Sequence, residues 1–328
     1  MTAPGPDIED IRALRDELMA DVIQTPVLRA WALERIIGGD TRVTVKLEFL
    51  QRTGTFKARG ALATLRSLSP DQLARGVTAV SAGNHAIATS FAAQAMRTSA
   101  KVVMIRTASP IRIENCRHYG AEVVLADDVH HAFEVVKRIE EEEGRFFVHP
   151  FEGRSVALGT GTVGLEICEQ IGDFDALVVP IGGGGLIGGI ANAVKQQRPD
   201  TRVIGVEPEG ADTMRRSFEA GEPCPIDRVT TIADSLGAPF ALPYSFELTR
   251  QNVDELVLIN DSHLRRSMGY LFRSMKFAVE PACAASTAAL LWPLREKLRN
   301  RHVVLVMCGS NIDWATFESQ AEFDDGID

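Results

Sequence analysis

One lysine gives the first suggestion of chemistry in this sequence. In the segment KLEFLQRTGTFKARGA, residues 46–61, an apolar strand-like run ends, a turn containing Gly54 follows, and Lys57 opens a helix that includes Arg59. A lysine at a helix start is usually just exposed. Enclosed in a cleft at the positive end of a helix, however, its amine pKa falls and it becomes a nucleophile able to form a Schiff base. A second segment, Ser81-Ala82-Gly83-Asn84-His85-Ala86, crowns the N-terminus of the next helix. Its amides suit a carboxylate, and Asn84 suits a phenolic oxygen or an imine; the plainer alternative is an ordinary N-cap loop. The third, PIGGGGLIGG (residues 180–189), runs from a strand straight into a helix. Gly182, Gly183, Gly184 and Gly185 leave amides free to wrap a phosphate, aided by the helix dipole because the loop holds no Lys or Arg. Gly183, Gly185 and Gly188 also satisfy GxGxxG, and the acidic Glu207 ends the following strand. A dinucleotide site, and with it a nicotinamide-dependent oxidoreductase, is therefore the rival reading. That reading leaves Lys57 and Ser81 to His85 without a purpose.

The elements that must position these groups alternate along the chain. Short β-branched runs stand at 43–48, 77–80, 101–106, 122–126, 176–180, 202–207, 255–260 and 302–307, with helix-length segments between them. Nearly continuous apolar strands belong to sheets covered on both faces, so the fold expected is α/β with two open, mainly parallel, doubly wound sheets. Ser69-Pro70-Asp71-Gln72 reads as a capping box, IATSFAAQAM (87–96) as an amphipathic helix, and the run Glu140 to Glu143 as a solvated helix end. With no low-complexity linker, the division expected is a small domain at 53–149 and a large one made of 1–52 with 150–328. Open α/β sheets bind ligands beyond the carboxyl ends of their strands, which places the site in the cleft between them.

Composition narrows the field. A chain of 328 residues with 45% hydrophobic and 24% charged residues can bury a substantial core. A formal charge of -9 with no basic stripe opposes a nucleic-acid partner. No apolar run approaches a membrane span. Asp7, Glu9 and Asp10 stand where a secretory signal needs positive charge and then an apolar stretch, so a cytoplasmic protein is expected. Five scattered cysteines show no CxxC or zinc spacing, and the neighbours His130 and His131 form no ligand-spaced set.

Taken together, KLEFLQRTGTFKARGA, SAGNHA, GTGTVGLEI, PIGGGGLIGG, GVEPEGA, TIAD, VEPACAAS and MCGSN resemble, in order and from about Gln24 to Asp313, the threonine and serine dehydratases of the fold type II pyridoxal-phosphate (PLP) enzymes. Serine racemases belong to the same group. The resemblance implies that the cofactor is pyridoxal 5'-phosphate, carried by Lys57 as a Schiff base, with Phe56 packed beside its ring and Asn84 bonded to its phenolic oxygen. Gly182 to Gly185 and the Leu186 amide would hold its phosphate. Cys308 would face the pyridine nitrogen, with Ser310 as the fallback, and Ser81, Ala82, Gly83, Asn84 and His85 would receive the substrate carboxylate.

The implied reaction is β-elimination of water from a 2-amino-3-hydroxy acid such as L-threonine, L-serine or 3-hydroxyaspartate, giving a 2-oxo acid and ammonia. Lys57 would take the α-proton and the cofactor phosphate would assist departure of the hydroxyl. The alternative within the group is racemisation, which Ala82 disfavours because racemases carry a serine there. Glu207 and the Ala211 carbonyl match a divalent-cation site of the racemase branch, where Mg2+ or a monovalent cation could sit, but Thr213 replaces a second acidic ligand and Asp212 is one residue away. Ser235 stands where many relatives have glycine. The resemblance also implies a homodimer. The chain ends at Asp328, soon after MCGSN, so no C-terminal regulatory domain is expected.

Overall fold

The structure, a computed structural model, describes residues 5–323. It contains two sheets. Strands β1 (Val27–Arg29), β2 (Arg42–Lys46), β7 (Ala176–Pro180), β8 (Arg202–Pro208), β9 (Glu255–Ile259) and β10 (His302–Val306) form one, in the order β1-β2-β10-β7-β8-β9. Strands β3 (Val77–Val80), β4 (Ala100–Ile105), β5 (Glu122–Ala126) and β6 (Phe146–Phe147) form the other, in the order β5-β4-β3-β6. Every pairing is parallel except β1 with β2. The physical cause is the one read from sequence. Every residue of β7 is buried, as is nearly all of β8 and β10, because helices cover both faces. The short edge strands β1 and β6 carried no sequence signal.

The Ser69 capping box forms, with Gln72 N–H donating to Ser69 Oγ at 3.3 Å and Ser69 N–H to Gln72 Oε1 at 2.9 Å. The Glu140 to Glu143 run ends the helix Val129–Glu143, stopped by left-handed Gly144. One expectation is corrected. The helix Asn84–Ala95 is not amphipathic: every residue from Asn84 to Ala93 is buried. Its small side chains let it pack between the four-stranded sheet and the helix Lys57–Arg66, and Ser90 Oγ satisfies itself on the Ala86 carbonyl at 2.7 Å.

Two features fix the helix that begins at Lys57. It lies so close to the helix Arg154–Ile171 that a Cβ on Gly159 would fall 2.5 Å from the Arg59 carbonyl oxygen, which is why that position of the GTGTVG segment is a glycine. Beneath it sits a sealed ionic cluster. Arg59 donates to Glu48 (2.9 Å from both Nε and Nη2) and to Glu166 (2.6 Å from Nη1), and Lys46 Nζ donates to Glu166 at 2.6 Å, with all four side chains no more than 2% exposed. Two cations against two carboxylates balance in a place where an unpaired charge would be prohibitive. Among the described residues no helix is long and apolar enough to cross a membrane.

Candidate active site

The carboxyl ends of the strands of both sheets open on one cavity of about 300 Å³. Lys57 lies in it. Its Nζ donates to the Pro150 carbonyl at 2.9 Å and stands 5.1 Å from the centre of the Phe56 ring. Burial pushes the amine down to about 8, against the opposing pull of Cys308 and Glu280, so this lysine reaches its nucleophilic form near neutral pH. Phe56 N–H donates to the Cys308 carbonyl at 3.2 Å and Thr55 bridges Gly309, which places the Cys308 thiol beside the lysine. That thiol, 3% exposed, hydrogen-bonds with Cys283, and the contact together with burial raises its pKa well above the usual thiol value; it stays neutral.

Gly182, Gly183, Gly184, Gly185 and Leu186 line the same cavity. The helix Gly185–Gln197 begins there with left-handed Gly184 as its cap (φ 90°) and no side-chain cap. Its first amides, which have no acceptor within a helix, thus face the cavity together with the positive dipole end. Gly183 lies flat against Phe151, where a Cβ would come 2.3 Å from the ring. Open amides, a helix N-terminus and no room for side chains form an anion cradle that fits a phosphate monoester.

Opposite the cradle, Ser81, Ala82, Gly83, Asn84 and His85 line the wall. The Asn84 amide cannot flip: its Oδ1 accepts from Asn311 Nδ2 at 2.8 Å, and its Nδ2 donates to both Glu280 oxygens at 2.8 and 3.1 Å. The remaining Nδ2 hydrogen points toward Ser235 Oγ, 3.2 Å away. Ser81 Oγ accepts the Gly83 N–H at 3.1 Å. His85 Nε2 donates to the Val148 carbonyl at 2.7 Å, and burial, then Lys57, lower its pKa to about 3, so the ring offers no positive charge to a ligand.

Several residues of the cavity went unremarked in the sequence. Glu280, 1% exposed, has its carboxyl pKa raised by burial although Arg112 and Asn84 oppose this. Arg112 Nη1 donates to Asp234 at 2.6 Å and its Nε to the Asn311 carbonyl at 3.0 Å, spanning from the helix Pro110–His118 to the opposite wall. Glu280 and Asp234 sit inside the VEPACAAS and TIAD segments, so a signal was present; Arg112 had none. Phe133, Phe147, Phe151 and Phe240 complete the lining, with His149 among them.

Ser310 does not line the cavity, because its backbone is drawn to the Gly54 carbonyl at 3.0 Å; Cys308 faces inward instead. Glu207 and Ala211 are also elsewhere. Glu207 accepts the N–H groups of Met214 (2.7 Å) and Arg215 (2.9 Å), capping the helix Thr213–Ala220, while Thr213 Oγ1 donates to the Ala238 carbonyl at 2.6 Å. Burial raises the Glu207 carboxyl to about 8. Its oxygens are thus committed to backbone, and among the described residues no three His, Cys, Asp or Glu side chains gather as metal ligands.

A family profile described as "Pyridoxal-phosphate dependent enzyme" matches residues 18–309. The chain belongs to the pyridoxal-phosphate dependent enzymes. This PLP enzyme is 54% identical over 316 residues to a phenylserine dehydratase of Ralstonia pickettii, covering 96% of each chain. It is 37% identical to an L-threonine ammonia-lyase of Thermotoga maritima, over 93% of this chain and 76% of the relative. Maize serine racemase superposes with a TM-score of 0.90 at 32% identity, covering 96% of this chain and 97% of that one. The enzyme has the fold type II architecture, and the glycine loop accordingly belongs to a PLP enzyme, not to a nicotinamide oxidoreductase.

Proposed function

We propose that this enzyme is an ammonia-lyase that eliminates water from a 2-amino-3-hydroxy acid with an aromatic β-substituent, of the 3-phenylserine type, releasing a 2-oxo acid and ammonia. The observation that carries the substrate class is the aromatic wall. Phe147 and Phe151 flank His149, Phe240 lies 6.3 Å from Phe151, and Phe133 stands at the rim, 47% exposed. Leu236 and Pro239 extend the apolar surface. Such walls receive a phenyl ring edge-to-face, and the guanidinium of the cavity, Arg112, is already paired with Asp234 and so does not attract a second carboxylate. The 54% identity to a phenylserine dehydratase points the same way.

When bound, PLP supplies the electron sink that makes the Cα–H bond acidic. The roles assigned to the protein are those the family resemblance implies, and the cavity lining supports them. Lys57 would carry the cofactor, and its amine, with a pKa lowered to about 8, is the base available for the α-proton. Gly182 to Gly185 and Leu186 would hold the phosphate, Phe56 would flank the ring, Asn84 would turn the Nδ2 hydrogen now facing Ser235 to the phenolic oxygen, and the neutral Cys308 thiol would meet the pyridine nitrogen. The amides of Ser81 to His85 take the carboxylate. Ala82 has no side-chain proton to deliver from the opposite face, which supports elimination over racemisation. We assign 53–149 to a small domain and the remainder to a large one, and take the enzyme to be cytoplasmic and a homodimer, the dimer on the family resemblance alone.

A panel of 3-phenylserine, threonine, serine and 3-hydroxyaspartate, assayed for 2-oxo acid release, tests the reading. Burying a phenyl group is worth about 2–3 kcal/mol, or roughly 30- to 150-fold in kcat/KM for phenylserine over serine. Preference for serine or 3-hydroxyaspartate would overturn the aromatic assignment, and D-serine formation exceeding pyruvate would overturn the elimination.

A further inference from the structure

His149 has no part in the roles above, yet its side chain is firmly held in the cavity wall. Its Nδ1 accepts two backbone N–H groups, from Phe151 at 3.3 Å and Glu152 at 3.0 Å. A ring nitrogen that accepts carries no hydrogen, so the single hydrogen of the neutral ring is on Nε2. Nε2 meets no partner among the described residues, and the ring lines the cavity. Burial, then the Lys57 charge, lowers the imidazole to about 4, so the ring stays neutral through the range in which Lys57 works.

The surrounding loop is pinned on both sides. Val148 N–H donates to the Thr78 carbonyl at 2.8 Å and its carbonyl accepts from His85 at 2.7 Å. The Glu152 carboxylate accepts the N–H groups of Tyr244 and Ser245 at 2.7 and 3.0 Å. The ring itself is held edge-on between Phe147 (5.9 Å, 89°) and Phe151 (4.7 Å, 89°). A donor fixed this firmly is preorganised and costs little to reorient during reaction.

We infer that His149 is a tautomer-locked neutral donor whose Nε2–H holds the β-hydroxyl of the substrate and aligns it for departure. The placement rests on the aromatic-substrate reading. The β-carbon is the atom that bears both the leaving oxygen and the side chain, and it is bonded to the carbon that Lys57 deprotonates. His149 stands between two rings of the wall that takes the side chain, and the residue after it supplies the carbonyl that holds Lys57 Nζ. The donor therefore lies at the junction of the two, where the β-carbon must fall. In the elimination the Cα proton passes to the Lys57 amine, its electron pair becomes the Cα–Cβ double bond, and the Cβ–O pair leaves with oxygen. That oxygen takes up the proton that Lys57 removed, returned from the lysine ammonium, and departs as water. His149 contributes a hydrogen bond and keeps its proton, since surrendering it would leave an imidazolate.

The test compares His149→Phe, which keeps the ring stacking without the donor, and His149→Gln, which returns an N–H near the Nε2 position. Serine and 3-phenylserine lose hydroxide, whereas 3-chloroalanine loses chloride and needs no donor. His149→Phe is expected to lower kcat/KM for the hydroxy acids by about 100-fold, the scale of one lost preorganised donor, and to keep 3-chloroalanine within about 3-fold. His149→Gln is expected to recover at least about 10-fold of the loss. The visible cofactor band and PLP affinity of both variants should match the parent. Nitrogen-15 NMR of the parent should show Nδ1 bare and Nε2 protonated from pH 6 to 9. Equal losses for chloride and hydroxide, an undiminished hydroxy-acid rate, or a protonated Nδ1 would each overturn the inference. A parent enzyme that prefers serine to phenylserine would overturn only the aromatic reading, because the serine and 3-chloroalanine comparison does not depend on it.

Discussion

Glu166→Gln probes the ionic cluster that anchors the helix of Lys57. In the parent, Glu166 receives Arg59 at 2.6 and 2.9 Å and Lys46 at 2.6 Å, and none of these groups sees solvent appreciably. The substitution keeps the shape but leaves two buried cations sharing the single carboxylate of Glu48. Removing one partner from a buried ion pair costs about 3–5 kcal/mol. Against a typical total of about 5–15 kcal/mol, that is a large fraction of the stability. Urea unfolding of the PLP-saturated protein at pH 7, followed by far-UV circular dichroism, measures it. The loss should shrink at high pH. Burial already lowers the Lys46 pKa in the parent, with Glu166 the strongest opposing influence, so without that carboxylate the lysine falls further below its unfolded value of about 10.4. Between the two values the unfolded chain binds more protons than the folded one, and stability rises with pH. A loss under about 1 kcal/mol at pH 7, or one that does not diminish by pH 9.5, would refute the claim that this cluster holds the helix by charge balance.

Other outcomes follow from the cavity. Cofactor uptake by the apoprotein needs the Lys57 free base, so its rate should climb with pH to an inflection near 8, not 10.5, in stopped-flow absorbance. The same depressed pKa makes the apoprotein more stable as pH rises from about 8 toward 10.5, because the unfolded lysine holds its proton longer. Phe133→Ala with Phe240→Ala should cost phenylserine at least about 10-fold more kcat/KM than serine, measured by 2-oxo acid release. Cys308→Ser keeps a neutral group at the same place and should leave the visible band and the rate within about 10-fold, whereas Lys57→Ala should abolish the borohydride-reducible band. In Gly183→Ala, the new methyl meets the Phe151 ring, and equilibrium dialysis should show weaker PLP binding by at least about 10-fold.

The sequence exposed the parts of the site that use backbone. Glycines in a row and a lysine after a strand end leave a local signature, and the buried runs ALVVP and HVVLV announced the parallel core strands. The strands β1 and β6, three and two residues long, were invisible because runs so short carry no alternation of their own, and the partner of β6 lies far back in the chain at Val77 and Thr78. The helix Asn84–Ala95 was misread for a related reason: Thr89 and Ser90 look like a polar face, but they are small enough to be buried against other helices. Arg112 and His149 resisted reading because their meaning lies in partners, Asp234 for one and two backbone amides for the other, that only the folded loops bring near.

The order of strands also bears on how the protein is made. β10, the last strand along the chain, inserts between β2 and β7, pairing His302 to Val306 with Arg42 to Lys46 on one side and Val303 to Leu305 with Ala176 to Val178 on the other. A ribosome therefore releases the middle of this sheet after both of its flanks. Until then β2 and β7 present unpaired apolar edges, and the residues meant to face Lys57 across the site are still unmade. The four-stranded sheet suffers no such delay, since its strands emerge consecutively. Nascent chains stalled before His302 should hold protease-resistant β3 to β6 alongside an unformed larger sheet, leaving a growing polypeptide dependent on chaperones for most of its synthesis.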